Sequence, residues 1–252
     1  MPDHTVDDIG ATSMSTGRSQ RIDEMIRGFI SENHKITVED MQSIQQDDTD
    51  VIAREFTPKM IKIARKVASE LTADQRVAME STFKYLEGWN GRFSEESIAA
   101  TCYSYTMLFF YKSLMHRQYP GDESRRLKVI DNYNFVDFVE RLFLDVEADA
   151  ANSRFNSICL DANEYKGKSS CAYNLAIAFG EAHTFLQGNF SKSSENWIWR
   201  NVHRNVYPNL PWSKTPLRYV FHREVPTFGS TNTPHVSKVS YRSAAQAMRF
   251  ES

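Results

Sequence analysis

The chain of 252 residues carries 30 Lys and Arg against 32 Asp and Glu, with 41% hydrophobic and 12% aromatic residues. Those are globular values in a chain long enough to bury a sizeable core, and they exclude a disordered or low-complexity polypeptide. A net charge of −2 gives no global field for nucleic acid or a membrane surface, and the nearest approach to a span, Met107-Leu108-Phe109-Phe110-Tyr111, stops at Lys112, well short of the ~20 apolar residues required.

Residues 1–16 are polar, rich in Asp, Ser and Thr, and read as an irregular lead-in without the charged-then-apolar shape of a signal peptide. Helical periodicity begins near Arg18, where Ile22, Met25, Ile26, Phe29 and Ile30 recur on one face. Thr37-Val38-Glu39-Asp40 has the form of a capping box and predicts a short helix through Met41 and Ile44. Thr57-Pro58 reads as an N-cap followed by proline at the first helical position, opening a helix through Met60, Ala64 and Leu71. Thr72-Ala73-Asp74-Gln75 restarts a helix that ends at Gly88, and Trp89-Asn90-Gly91 is a turn. Ser94-Glu95-Glu96 is expected to cap a long helix running to about Tyr119, apolar nearly all round in its second half and broken by Pro120-Gly121. Further helices are predicted at 123–130, 134–147 and 170–187.

After Gly188 five prolines (Pro208, Pro211, Pro216, Pro226 and Pro234) exclude long helices. The strand candidates are 217–225 and 235–241, and the tail 242–250 reads as weakly helical or frayed. The basic residues beyond Lys192 are spread among Pro-bounded segments and read as a solvated face, so no nucleic-acid partner is expected. The fold class is therefore mainly α with a few C-terminal strands, divided into a helical part, 1–190, and a Pro-rich, strand-containing segment of the same domain, 191–252. Strands that come so late imply pairing with something outside the chain. Of the three cysteines, Cys159 and Cys171 flank a polar loop: they bridge in an oxidising compartment or stay as thiols, and both readings stand.

Among residues able to carry chemistry, Arg18 is placed oddly, because helix N-termini favour carboxylates over cations. Such an arginine is ordinarily a surface residue, and the mismatch leaves room for a partner elsewhere. Asp40 is explained by its cap. Asp7 and Asp8 are by default solvated loop, and His203 is more readily a hydrogen-bonded structural residue than a base.

Gly17-Arg18-Ser19-Gln20-Arg21-Ile22 near the start, the Trp199-x-x-x-His203 unit, Leu217-Arg218-Tyr219-Val220-Phe221, and then Val225-Pro226-Thr227-Phe228-Gly229 follow one another in a telling order. That order resembles the C-terminal part of the penicillin acylase family of N-terminal-nucleophile amidohydrolases. The resemblance implies a fragment of an αββα fold and hydrolysis of a small-molecule linear amide through an acyl-enzyme. It puts Arg18 near the substrate and leaves Arg21 structural. It also implies a structural calcium, with Asp7 the nearest match to an Asp ligand and Asp8 the alternative, and no cofactor for the chemistry. The family's nucleophile and oxyanion Asn would lie upstream of Met1, in a missing segment or subunit, so this chain alone is expected to be inactive. The resemblance implies a secreted, periplasmic or luminal location.

Departures from the family pattern are local. Asn90 stands in the usual Trp-Asp-Gly, and Arg200 replaces a glycine after Trp199. Thr231-Asn232-Thr233-Pro234 replaces a Gly-Gly and Thr-Val run, while Ser240-Tyr241-Arg242 matches the opening of a following strand. Phe29, Phe83 and Phe109 are candidate liners of an acyl pocket, with core packing their more ordinary role. The alternative reading is a helical protein-interaction module without catalysis, the Pro-rich end serving as its docking segment.

Overall fold

The computed structural model describes residues 17–119, 121–130, 171–207, 210–212, 214–221, 223–237, 239–240 and 250–251. The predicted helix at 134–147 and the acids Asp7 and Asp8 fall outside these. Helix α1 spans Gly17–Ser31, and α2, Val38–Gln45, begins with the expected capping box, Thr37 Oγ1 accepting from the Asp40 N–H while the Asp40 carboxylate accepts from the Thr37 N–H. That exchange satisfies two amides the first helical turn leaves orphaned. Together with His34, 2.6 Å away, it holds the Asp40 carboxyl down at about 2.

Helix α3 corrects one expectation. It spans Val51–Lys66, so Thr57-Pro58 lies inside it rather than at its start. The true N-cap is Asp50, whose side chain accepts from the Ala53 N–H at 3.0 Å. A buried Asp cap outweighed the local proline signal; Pro58 is tolerated on an exposed face, and the Thr57 hydroxyl donates to the Ala53 carbonyl at 2.7 Å. Helix α4, Ala73–Leu86, carries the expected Thr72–Gln75 capping box. Helix α5, Ile98–Gln118, is capped by Ser97 rather than by the Ser94 group, which instead forms the turn before it. Helix α6 spans Glu123–Ile130 and α7 spans Cys171–Asn189.

Helix α7 is the hub, packing on α3, α4 and α5. Its small residues allow close approach: Gly180 sits against Ala78, and the Thr82 hydroxyl donates to the Phe179 carbonyl at 2.8 Å, fixing α4 to α7. The core runs from Phe56 and Met60 through Phe83, Tyr105 and Phe110 to Leu175 and Phe179, with Phe83 edge-on to Phe179. Phe83 is thus a core residue, not a pocket liner. Cys171 is disulfide-bonded; Cys159, its candidate partner, lies outside the described residues. No helix among the described residues is long and apolar enough to cross a membrane.

Beyond α7 the chain returns to the helices, with Trp197, Trp199, Val202 and Val239 in the same apolar cluster. A single turn, α8 (Trp199–Val202), leads into β1 (His203–Tyr207), a strand the sequence reading missed. The predicted strand at 217–225 is instead a helical turn, α9 (Arg218–Phe221), followed by β2 (Arg223–Pro226). Backbone bonds from Val220 and Phe221 to the Leu217 carbonyl close that turn, and local closure overrides the β-propensity of Tyr219, Val220 and Phe221. β1 pairs antiparallel with β2, Arg204 opposite Pro226 and Tyr207 opposite Arg223, and parallel with β3 (Phe250–Glu251) on its other side. The described part of 235–241 forms no strand, only a Ser230–Val236 bridge: its backbone donors are spread over separate partners, the His235 N–H to the Asp47 carbonyl, the Ser237 N–H to the Ser230 carbonyl and the Val239 N–H to the Thr231 hydroxyl. Residues 242–249 of the expected helical tail are outside the described set, and Phe250–Glu251 is a strand.

Candidate functional site

Gly17 opens α1 and is buried; a Cβ placed on it would lie 2.7 Å from Ile52 Cγ1 and 3.1 Å from Asn232 Cβ. The helix start is thus wedged between the first turn of α3 and the loop of the Pro-rich end. Arg18 follows directly and is exposed. Three residues on, Arg21 turns inward and grips Asp47 with two bonds, Nε to Oδ1 and a terminal nitrogen to Oδ2, both 2.9 Å. That fork raises the Arg21 pKa further above its already high value. Burial opposes ionisation of Asp47, yet the bonds from Arg21 and from the Thr49 N–H win and lower its pKa. Glu24 joins Arg21 at 3.1 Å and Arg54 at 3.2 Å, so α1 is tied to both α3 and the segment before it.

The segment from Asp47 to Asp50 is the floor of this region. The Asp48 carboxylate accepts from Arg92 Nε at 2.7 Å, and the Phe93 N–H donates to the Asp48 carbonyl at 2.8 Å. Gly91 is required here: its φ is +78°, and a Cβ would lie 2.5 Å from the Asp50 carbonyl oxygen. Trp89-Asn90-Gly91 therefore works as the turn that presents residues 91–93 to the floor, with Asn90 Oδ1 accepting from the Arg92 N–H. Asp50 is fully enclosed. Burial pushes its carboxyl up, against the pull of bonds from the Ala53 N–H and, at 2.9 Å, the Ser230 hydroxyl.

The wall comes from the Pro-rich end. Gly229, at φ +79°, donates its N–H to the Phe93 carbonyl and passes so close to the His235 carbonyl oxygen that no side chain fits. Trp199 Nε1 donates to the Gly229 carbonyl at 3.1 Å, and its ring packs on His203 at 4.5 Å and edge-on to Phe93 at 5.3 Å. His203 is buried beneath that indole and has the position of a structural residue. Arg200 sits within the helical turn α8, its side chain 2.6 Å from Glu96, so replacing the family's glycine demands no left-handed backbone. The Thr233 hydroxyl accepts from the Ser230 N–H at 2.8 Å, and the His235 N–H donates to the Asp47 carbonyl at 3.0 Å, closing the loop onto the floor.

The fold thus gathers the Arg18-to-Ile22 helix start, the Asp47-to-Asp50 segment, Trp89-Asn90-Gly91, the Trp199–His203 unit and Gly229 into one junction. It leaves Phe83 elsewhere, in the core. Sequence reasoning missed Asp50, Ser230 and Asn232; the signal available was the cluster Ser230-Thr231-Asn232-Thr233, whose short polar side chains bond backbone in place of a strand ladder. Chemically, Arg18 offers a permanent cation and a fork of donors to a carbonyl or carboxylate oxygen. Two other reactive types in the described fold are sequestered: Cys102 is buried with its thiol pushed up to about 12, and the Ser230 hydroxyl is buried on Asp50. The carboxylates of Asp47, Asp48 and Asp50 accept from Arg21, Arg92, the Ala53 N–H and Ser230, and among the described residues no group of three or more His, Cys, Asp and Glu is placed to hold a metal.

Compared with known proteins, the chain matches the family model described as penicillin amidase over residues 2–251. No curated protein matches it.

Proposed function

The chain belongs to the penicillin amidase family, and from that premise we propose that it is the central-to-C-terminal portion of an amidohydrolase that cleaves small-molecule linear amides through an acyl-enzyme. In this reading it is part of an αββα N-terminal-nucleophile fold, and the attacking hydroxyl and the oxyanion Asn come from a preceding segment or a separate subunit. The hydroxyl oxygen bonds the carbonyl carbon, the C–N bond breaks, and the proton leaves with the amine; water then cleaves the ester to release the acid. Arg18 is the catalytic residue of this chain, donating to substrate carbonyl or carboxylate oxygens while the oxyanion donors carry the developing charge. The chemistry needs no cofactor. A structural calcium would take Asp7 as a ligand.

The observation that supports this reading is the wedge at Gly17: it brings Arg18, exposed, to the edge of the Pro-rich loop at Asn232. The exposed apolar side chains of Trp212, Val220, Phe221 and Val225 favour the rival, an interaction module without catalysis. Two measurements separate them. Translating the genomic sequence upstream of Met1 should give an in-frame Asn-Asn within a few codons and a processing junction further back. In the polypeptide that includes that region, R18A should lower kcat/KM for an acyl amide by about 100-fold. An upstream stop codon with no such sequence nearby favours the module instead.

A further inference from the structure

We propose that Asp50 is a positioning residue for Arg18, because this one carboxylate fixes both surfaces that grip Gly17. The inference rests on the reading of Arg18 as a substrate-facing residue. One oxygen, Oδ1, accepts from the Ala53 N–H at 3.0 Å and so sets the first turn of α3, which carries Ile52. The other, Oδ2, accepts from the Ser230 hydroxyl at 2.9 Å, and the Ser230 oxygen in turn accepts from the Asn232 N–H at 3.1 Å. Ile52 and Asn232 are the two neighbours that a Cβ on Gly17 would strike. Gly17 precedes Arg18 by one residue, so the place of the Arg18 backbone is dictated from both sides by the same side chain. Asp50 is 3% exposed and Ser230 4%, so water is not at hand to replace either bond.

The prediction is a shift in orientation rather than a loss of fold, and small misplacements of a substrate-binding group are costly. The test uses the polypeptide that carries both this chain and its nucleophile, with kcat and KM read separately on one acyl amide and Tm read alongside. S230A removes one hydroxyl and is the mild variant; it should lower kcat/KM about tenfold while lowering Tm by only a few degrees, the chain remaining folded. D50A should lose more, and D50N should recover part of it, since the amide still accepts from Ala53 and can donate to the Ser230 oxygen. The double variant R18A/S230A should be no worse than R18A, the coupling expected of groups that act through one another. S230A at wild-type kcat/KM, or a loss that adds in full to that of R18A, would overturn the inference while leaving the Arg18 reading intact. R18A at wild-type kcat/KM would overturn the Arg18 reading and this inference with it.

Discussion

Two aspartates three residues apart, Asp47 and Asp50, are driven in opposite directions by their surroundings. Asp47 is stabilised as a carboxylate by the Arg21 fork, so its folded pKa is depressed. Its contribution to stability is present above the ordinary carboxylate value and is lost as pH falls through the folded value. D47A should cost about 2 kcal/mol at neutral pH, read by urea unfolding, and its deficit against wild type should shrink in acid. Asp50 has the reverse sign. Its buried carboxyl is raised, so its contribution is complete below the unfolded value and falls as pH rises through the folded one. The stability advantage of wild type over D50N should therefore narrow with rising pH; a widening gap would contradict the assignment. Arg21 was legible as a structural arginine only through the family resemblance of Arg18-Ser19-Gln20-Arg21-Ile22, which gave the substrate-facing place to Arg18. Asp50 was not legible, since its partner Ser230 is 180 residues away and each alone reads as ordinary loop chemistry.

Elements with local signals were read well from the sequence, and those set by distant partners were not. The boxes at Thr37 and Thr72 carry their own hydrogen-bond partners three residues on, which is why α2 and α4 were placed with their caps. Helix α3 was started late because a proline signal competed with an Asp cap whose value depends on burial. Strand β1 was missed because His203 and Arg204 carry no alternating pattern, and its pairing is decided by β2 and β3. Pro58 inside α3 gives a prediction at this scale. A proline removes one helical hydrogen bond and crowds the preceding turn. The position is exposed. P58A should stabilise the protein by about 1–3 kcal/mol, equivalent to several degrees in Tm. A lower Tm would mean that the fixed backbone of Pro58 is itself used, for instance to set the start of α3 against Gly17.

At the scale of the whole molecule, helices α3 to α7 and the Pro-rich end share a single apolar cluster through Trp197, Trp199 and Val239, and Gly17 ties the arginine-bearing helix start to that body by its close fit against Ile52 and Asn232. That arrangement can orient a substrate oxygen, but orientation is only half of amide hydrolysis: a nucleophile must be ionised or deprotonated as it attacks. The described thiol is buried and held protonated by its surroundings, and the Ser230 hydroxyl is sealed behind the Asp50 cap, so neither reaches a solvent-borne carbonyl. If the attacking hydroxyl lies in another segment, as proposed, the purified chain should hydrolyse neither phenylacetyl nor fatty-acyl amides above the background rate, measured by release of the free amine. Joined to a segment bearing an N-terminal nucleophile, the same chain should support turnover that R18A diminishes. Turnover by the chain alone, lost on substituting one of its own hydroxyls, would place the nucleophile within these residues and displace the division of labour argued from Arg18.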